Sequence, residues 1–326
     1  MKKNWLQTNT FHHSDFADLG LLVRKKQEKG LKISLCLPTL NEEETIGKEI
    51  VIMKSELAGR YPLLDEIIVM DSGSKDRTVE VAEYYGADVY LADDVLPNLE
   101  PFKGKGENLW KSLYVSGGDI VVYLDTDIKN IHHRFAYGLI GPLLLQDNLK
   151  FTKAFYDRPI YGDDQKLRRT GGGRVTELVT RPLFSLFLPE LAQIIQPLSG
   201  EYAGYRDVFE KLPFPIGYGI ETGMIIDICM GWGIDVIAQV DLDRRVHRNQ
   251  TTVQLGRMSF AIMECFFDRI SDYGLIDVNE GPFYKMTQYQ RSNGVYKQET
   301  YDYPKAYRPP IVEIPEYRDK FGVSNA

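Results

Sequence analysis

Short apolar runs alternate with amphipathic segments between residues 32 and 127, and this alternation limits the chain to one class of fold. The apolar runs predict strands over residues 33–37, 66–70, 87–91 and 119–124. In the first intervening segment, apolar residues recur at helical spacing, at Ile46, Ile50, Met53 and Leu57. Strands that alternate with helices form a mainly parallel sheet with helices on both faces. The sequence therefore predicts an α/β fold built on such a sheet.

Polar segments follow three of these strands, namely Pro38–Asn41, Asp71–Ser74 and Asp125–Asp127. In Rossmann-like sheets, ligands bind at the carboxyl ends of the strands, so we expect the three segments to line one crevice of nucleotide size. Asp125 and Asp127 stand at alternate positions and project to the same side, where they can share Mg²⁺ or Mn²⁺. The alternative is that they only open a solvated turn.

A run of three glycines, residues 171–173, leads into an apolar helix and is followed by Arg174 and Thr176. Glycines allow a close approach of the backbone to a ligand, and the free N–H groups at a helix start attract anions. This pattern is typical of a phosphate or carboxylate site. A tolerant loop with a capping threonine would leave the same pattern.

The composition excludes several functional classes. The formal net charge of −7 argues against a general binder of nucleic acid or of an anionic membrane. The three cysteines, Cys36, Cys229 and Cys265, lie far apart in sequence and predict neither a disulfide framework nor a zinc site. No stretch reaches the roughly 20 apolar residues of a membrane helix. We therefore expect a cytoplasmic protein without a membrane partner.

The chain divides into four parts by pattern. Residues 1–30 read as an N-terminal arm, in which His12 and His13 are adjacent, and neighbours in sequence rarely ligate one metal. Residues 31–150 form the predicted nucleotide-binding part and residues 151–270 the part that would carry the anion site. The tail, residues 271–326, is rich in Tyr and Pro and is expected to wrap the surface or a partner subunit.

Other chemistries of α/β proteins fit the motifs poorly. The segment Gly104–Leu109 lacks the third glycine of the dinucleotide-binding pattern, and a Walker motif is absent. Aspartyl-phosphatases of the haloacid dehalogenase type usually have Thr or Val two residues beyond the second Asp, where this chain has Lys129. Transfer from a nucleoside-diphosphate donor remains. Its leaving diphosphate needs a metal and positive charge, for which Asp127, Lys105 and His247 are chemically suited.

Several segments together resemble a known family. Residues 38–43, 71–76 and 125–127 resemble the nucleotide-sugar segments of GT-A glycosyltransferases. Residues 171–178, 197–202, 217–221 and 247–249 are similar, more specifically, to those of glucosyl-3-phosphoglycerate synthases, whose close relatives make the mannosyl product. The resemblance runs from about Ile33 to Phe267, and the combination is more specific than any one motif.

The resemblance implies a GT-A fold with a C-terminal acceptor-binding subdomain, in a homodimer. It implies a retaining transfer of glucose from UDP-glucose to the 2-hydroxyl of 3-phosphoglycerate, with Mg²⁺ or Mn²⁺ bound by Asp127 and His247. The implied acceptor residues are Gly173, Arg174, Thr176 and Asn249. The implied donor residues are Pro38, Thr39, Leu40, Glu42, Ser72, Lys105, Asp125, Thr126 and Tyr218.

Catalytic roles are expected for Asp127, Leu198, Glu221 and His247. The backbone carbonyl of Leu198 would steady the attacking hydroxyl, and Glu221 would hold the glucose hydroxyls. Either the leaving phosphate takes the proton during attack on the same face, or Glu221 acts as a transient nucleophile. Three other functions stay open at this point: a mannosyl-3-phosphoglycerate synthase using GDP-mannose, a glycosyltransferase with a lipid-phosphate acceptor, and a non-catalytic nucleotide-sugar sensor.

Overall fold

The computed structural model describes residues 4–161, 167–168, 173–246, 250–277, 284–292, 294–302 and 306–323. The described α-helices are α1 (Trp5–Thr8), α2 (Leu19–Lys29), α3 (Ile46–Met53), α4 (Thr78–Tyr84), α5 (Lys105–Val115), α6 (Arg134–Leu145), α7 (Arg181–Phe187), α8 (Arg206–Phe209), α9 (Ile220–Trp232), α10 (Thr252–Asp272) and α11 (Pro315–Phe321). The described strands are β1 (Thr10–His12), β2 (Ile33–Thr39), β3 (Glu66–Asp71), β4 (Asp88–Leu91), β5 (Ile120–Tyr123), β6 (Phe151–Asp157), β7 (Ile160–Tyr161), β8 (Leu167–Arg168), β9 (Tyr202–Tyr205), β10 (Phe214–Pro215), β11 (Ile237–Arg244), β12 (Lys285–Ser292), β13 (Val295–Asp302) and β14 (Tyr307–Arg308).

Within the described part of the chain, eight strands form one sheet in the order β1-β11-β6-β9-β5-β2-β3-β4. Neighbouring strands pair in parallel except at β9, which lies antiparallel between β5 and β6. The prediction of a mainly parallel α/β sheet is therefore confirmed. The connection from β6 to β9 contains α7 and ends in a turn just before β9, which places Gly200 beside the Asp125 carboxylate at the tip of β5.

Helices cover both faces of the sheet, because the side chains of the central strand alternate between two hydrophobic cores. Val122 and Leu124 pack into the core that contains α2, α3 and α6. Val121 and Tyr123 pack into the core that contains α5, α9 and α10. The run that continues beyond β5 is therefore buried on both faces until it reaches the polar Asp125.

The sequence pattern missed the outer elements. Strand β1 lies in the predicted N-terminal arm and pairs with β11 through Thr10–Gln239, Phe11–Val240 and His12–Asp241. In the tail, β12 and β13 form an antiparallel hairpin on which Tyr289 and Tyr296 are exposed. The four-part division of the chain stays a prediction. Of the helices that the structure describes, none combines the length and apolar character needed to cross a lipid bilayer.

Candidate active site

Hydrogen bonds fasten the polar tips of the first, second and fourth predicted strands to one another. The backbone N–H of Ser72 donates to the carbonyl of Thr39 at 3.0 Å. The Thr126 hydroxyl donates to the carbonyl of Pro38 at 3.1 Å. The Asp71 carboxylate accepts the N–H groups of Gly73 and Ser74, each at 2.8 Å. The structure thus brings the three segments together along one edge of the sheet, where hydrogen bonds to backbone groups hold them.

The two carboxylates at the tip of β5 share a cationic side chain. Arg245 Nη2 lies 3.1 Å from Asp125 Oδ2 and 2.6 Å from Asp127 Oδ1. Its Nε lies 2.9 Å from Glu201 Oε1, and only 5% of its side chain is exposed. The guanidinium stays charged in proteins, so its one positive charge is shared among three acidic groups.

A second cation, Lys105, joins this group from the start of α5. Its Nζ lies 2.5 Å from Asp125 Oδ1 and 2.7 Å from Glu221 Oε1. Burial by itself would raise the pKa of Asp125, but the charges of Lys105 and Arg245 outweigh burial and lower that pKa. Burial likewise opposes the charge on Lys105, yet Asp125 and Glu221 raise its pKa well above the usual value. Both groups therefore stay ionised at neutral pH.

Close backbone contacts fix the segments that carry these charges. The N–H of Gly106 donates to the carbonyl of Ile216 at 2.9 Å, and a Cβ at Gly106 would lie 1.8 Å from the Pro215 carbonyl oxygen. At Gly200, a Cβ would lie 2.0 Å from Asp125 Oδ2. The absence of a side chain at Gly200 thus leaves room for the Asp125 carboxylate beside the turn that precedes β9.

That turn is also held by a buried lysine. Lys153 on β6 donates from Nζ to the carbonyl of Ser199 at 2.5 Å, and the same Nζ lies 4.3 Å from the centre of the Tyr202 ring. Burial lowers the pKa of Lys153 to about 7, with Lys105 adding to the decrease and Glu221 opposing it. Leu198, the residue before Ser199, is half-buried.

The residues predicted for the acceptor lie farther along the chain. Gly173 has φ +78°, a backbone conformation that favours glycine, and a Cβ added there would have no atom of the described residues within 4 Å. Arg174 is exposed and donates from Nη2 to the carbonyl of Gln250 at 2.9 Å, whereas Thr176 is buried. Arg174 thus links the start of this helical segment to the chain just beyond residues 247–249.

The other donor residues of the prediction differ in exposure. Thr39 is buried, whereas Leu40 and Tyr218 are 53% and 50% exposed. Glu42 lies at the start of the segment leading into α3, where its N–H donates to the Thr78 hydroxyl at 2.8 Å. Glu221 is 7% exposed at the N-terminal end of α9.

His247 and Asn249 lie outside the described residues, and the chain just before them is hydrogen-bonded to the segment that follows Asp127. Both backbone polar groups of Val246 form hydrogen bonds: its carbonyl accepts the N–H of Lys129 at 3.0 Å, and its N–H donates to Asn130 Oδ1 at 2.7 Å. Asn130 Nδ2 also donates to the carbonyl of Arg244 at 2.8 Å. The segment that leads to residue 247 is therefore attached to the segment that follows Asp127.

The donor set at the tip of β5 fits a divalent cation. The carboxylates of Asp125 and Asp127 already converge on one cationic group, and the Asp127 side chain is 35% exposed. Carboxylate oxygens are the hard ligands that Mg²⁺ and Mn²⁺ prefer.

Sequence reasoning did not single out several residues of this site. Arg245 was only one of several basic residues in that stretch, and its position two residues before His247 was the available signal. Lys153 stands inside an apolar run of β6, where an inward-facing lysine is unusual. Glu201 is fully buried against Arg245 and also accepts the hydroxyl of Tyr156. Burial raises the pKa of Glu201, with Arg245 opposing the shift.

Comparison with known proteins adds a family match. Residues 34–139 match the family described as Glycosyl transferase family 2. A glucosyl-3-phosphoglycerate synthase of Petrotoga mobilis is 52% identical over 321 residues, which cover 98% of each chain.

Solved structures give the same relationship. The mannosyl-3-phosphoglycerate synthase from Rubrobacter xylanophilus superimposes with a TM-score of 0.86 at 35% identity, covering 95% of this chain and 97% of that one. The glucosyl-3-phosphoglycerate synthase from Mycobacterium tuberculosis, in complex with Mn²⁺, UDP-glucose and phosphoglyceric acid, has a TM-score of 0.81 at 39% identity, covering 93% and 97%.

Proposed function

The chain belongs to the family of glucosyl-3-phosphoglycerate synthases, and on that premise we propose that it transfers glucose from UDP-glucose to the 2-hydroxyl of 3-phosphoglycerate. The observation that carries this proposal is the placement of two cations, Lys105 and Arg245, around Asp125 at the tip of the central strand. A leaving diphosphate needs positive charge that is fixed in advance, because such charge requires no reorganisation during the reaction.

The donor occupies the crevice along the three strand tips. Pro38, Thr39, Leu40, Glu42 and Ser72 contact the uridine and ribose, since they line the tips of β2 and β3. Asp125, with Thr126 beside it, faces the ribose or the sugar. Tyr218, exposed in the loop before α9, covers the donor from the other side.

Lys105 and Glu221 act on the glucose and its phosphate. Lys105 bridges Asp125 and Glu221, so both carboxylates are held within reach of one point. Glu221 accepts hydrogen bonds from the glucose hydroxyls, and Lys105 contributes positive charge near the diphosphate.

The acceptor binds at the start of the helical segment after the glycine run. Arg174, Thr176 and the backbone of Gly173 bind its phosphate and carboxylate, with Asn249 as a further ligand. Support comes from the exposed guanidinium of Arg174, which is held by the carbonyl of Gln250 at 2.9 Å. Both anionic ends of 3-phosphoglycerate can thus be bound outside the donor crevice, with its 2-hydroxyl directed inward.

In the transfer, the bond from glucose C1 to the β-phosphate oxygen breaks, and a bond from C1 to the acceptor oxygen forms on the same face. The proton of the acceptor hydroxyl passes to the departing phosphate. The carbonyl of Leu198 accepts a hydrogen bond from that hydroxyl and orients it, and Lys153 holds the turn through Ser199. Glu221 is paired with Lys105 at 2.7 Å, which suits an acceptor of hydrogen bonds better than a free nucleophile.

A divalent cation, Mg²⁺ or Mn²⁺, held by Asp127 and His247, would neutralise the charge on the diphosphate as it leaves. Structures of the Mycobacterium tuberculosis relative contain Mn²⁺ with UDP-glucose and Mg²⁺ with UDP. A cytoplasmic location and a homodimer with contacts from the tail complete the proposal. The location is supported by the three free thiols, Cys36, Cys229 and Cys265.

The experiment that tests this function uses one acceptor and four donors. The purified full chain is incubated with 3-phosphoglycerate and UDP-glucose, ADP-glucose, GDP-glucose or GDP-mannose, in Mg²⁺ or Mn²⁺, and nucleotide release and the sugar phosphate product are measured. We expect UDP-glucose to give kcat/KM at least about 100-fold above GDP-mannose, because hydrogen bonds to sugar hydroxyls discriminate strongly.

The controls separate the other candidate functions. Preference for GDP-mannose would favour the mannosyl alternative, because the similar Rubrobacter xylanophilus structure is that of a mannosyl-3-phosphoglycerate synthase. Binding of UDP-glucose without turnover would indicate a sensor. Turnover only when a polyprenyl phosphate replaces 3-phosphoglycerate would indicate a lipid acceptor.

A further inference from the structure

A group of metal-binding side chains lies outside the candidate active site, where the N-terminal arm meets β11. His12 Nε2 lies 3.1 Å from Asp243 Oδ1, and His13 Nε2 lies 2.8 Å from Asp243 Oδ2. The possible ligand atoms of the three residues all lie within 4.8 Å of one another. Neighbours in sequence rarely ligate one metal, but here the two ring centroids lie 4.4 Å apart and both Nε2 atoms face the same carboxylate. We infer that His12, His13 and Asp243 form a second metal site, which binds Zn²⁺ or a similar transition metal.

The outer nitrogens of both rings have partners that suit metal ligation. His12 Nδ1 lies 2.7 Å from the Ser14 hydroxyl oxygen, and His13 Nδ1 lies 3.0 Å from the Tyr137 hydroxyl oxygen. Each hydroxyl oxygen can accept the Nδ1–H of the tautomer that leaves Nε2 free to bind a metal. Metal-ligating histidines almost always donate their other ring N–H in this way. The backbone N–H of Ser14 also approaches His12 Nδ1, at 3.2 Å, and must release that contact when this tautomer forms.

The spacing of the three residues needs only a small adjustment. Ligands about 2.0 to 2.1 Å from a tetrahedral ion stand roughly 3.3 Å apart, close to the two separations of 3.1 and 2.8 Å between the histidine nitrogens and the Asp243 oxygens. The site is open to entry, because 42% of the His12 side chain and 48% of the Asp243 side chain are exposed. A solvent molecule can supply the fourth ligand.

The ligand types select among metals. Two imidazoles and one carboxylate suit zinc and similar transition metals, whereas Mg²⁺ prefers oxygen ligands only. Asp241 adds negative charge nearby and accepts the N–H of Asp243 at 2.9 Å. One neighbour opposes cation binding: Arg134 Nε lies 3.6 Å from Asp243 Oδ2, although its hydrogen bond goes to the Leu242 carbonyl at 2.9 Å.

A metal at this position would connect the N-terminal arm to the strand that supplies the active site. His12 is the last residue of β1 and pairs with Asp241 of β11. Asp243 stands two residues before Arg245, which holds Asp125 and Asp127. The metal would thus stabilise the end of β11 without contacting the substrates.

The test uses the full chain with UDP and excess Mg²⁺, so that the Asp127 region is saturated. Zn²⁺ binding is measured by calorimetry, and Co²⁺ is added separately to detect the visible absorption of a four-coordinate site. We expect one tight Zn²⁺ per chain in the wild type. In His13→Gln and Asp243→Asn, we expect the affinity to fall by more than about 100-fold, since even outer partners of metal ligands contribute about 10- to 100-fold.

His132→Gln is the matched control, because it removes a neighbouring histidine that stacks on His133 and is not a ligand of the inferred site. Its Zn²⁺ affinity should equal that of the wild type. Zn²⁺ should also raise the Tm of the wild type and of His132→Gln but not of the two ligand variants, because binding to the folded state alone stabilises it. Equal Zn²⁺ affinity and equal Tm shifts in all four proteins, or no tight Zn²⁺ in the wild type, would overturn the inference.

Discussion

Two regions of the candidate active site are built in different ways. The strand-tip region, residues 38–41 and 71–74, is held mainly by hydrogen bonds in which at least one partner is a backbone group, such as the bond from the Ser72 N–H to the Thr39 carbonyl at 3.0 Å. The charge cluster is held by side chains that pair with one another, and it comprises Lys105, Asp125, Asp127, Glu201, Glu221 and Arg245, with the buried Lys153 nearby.

The two regions should respond differently to substitution. The bond from the Ser72 N–H to the Thr39 carbonyl does not involve the Ser72 side chain, so the strand-tip region should keep this bond when that side chain changes. In the charge cluster, each group lowers the cost of burying its neighbours, and removal of a neighbour's last partner leaves an unpaired charge that is expensive to bury. The following predictions test this contrast, from the largest expected effect to the smallest.

Asp127→Asn should give the largest loss of activity. The substitution removes the charge that the proposed metal needs, so we expect kcat to fall about 1,000-fold or more. Arg245 keeps Asp125 and Glu201 as partners, so the Tm should change little. Steady-state kinetics with UDP-glucose over a range of Mn²⁺ concentrations measure the effect.

Ser72→Ala in the strand-tip region is the comparison, with an expected loss below about 10-fold, since one neutral hydrogen bond contributes about 1 kcal/mol. Asp147→Asn controls for loss of a carboxylate, because the Asp147 side chain is 94% exposed and pairs with Lys29, which is not a residue of the candidate site. Similar losses in Asp127→Asn and Ser72→Ala would remove the distinction between the two regions.

Gly200→Ala tests the point where a turn touches the charge cluster. Its added Cβ would lie 2.0 Å from Asp125 Oδ2, so either the turn or the carboxylate must move. We expect kcat/KM to fall about 100-fold, since misplacement of a reacting group by about 1 Å can cost that much, and we expect a lower Tm.

Gly231→Ala in α9 is its matched control, because within the described part of the chain nothing lies within 4 Å of the added Cβ. A helical Gly to Ala change should keep activity and leave the Tm unchanged or higher. If Gly200→Ala and Gly231→Ala behave alike, the close packing at Gly200 does not position Asp125.

Lys153→Met should show its effect in the pH dependence of stability. Burial lowers the pKa of Lys153 to about 7 from its usual 10.5, so the unfolded chain binds this proton between those pH values and the folded chain does not. The free energy of unfolding of the wild type should therefore rise relative to Lys153→Met from pH 7 to 10, by at most about 1.4 kcal/mol per pH unit. Below pH 7, the difference should be constant.

Urea unfolding at several pH values measures this difference. Lys150→Met is the control, because the side chain of Lys150 is 36% exposed and it stands on the same stretch of chain. Parallel pH curves for the wild type and Lys153→Met would show that the amine of Lys153 is not buried with a lowered pKa.

The strand-tip region was predictable because its signals are local. The apolar runs of β2, β3 and β5 each end in a turn-forming polar segment, and parallel strands bring such ends to one edge. The antiparallel orientation of β9 between β5 and β6 was not predictable. The preceding segment, Gln196–Tyr202, carries turn signals but does not indicate which strands β9 pairs with. The edge strand β1 has only three residues, too few for a periodic pattern.

The sequence by itself determined the α/β class, the carboxylates at the tip of β5 and the family of the protein, because these follow from the spacing of residues along one strand or one loop. Only the tertiary structure decided which charges meet. Arg245 reaches Asp125 across 120 residues, and His12 and His13 meet Asp243 across about 230. Such partners depend on how strands order in the sheet, and that order results from packing of the whole core.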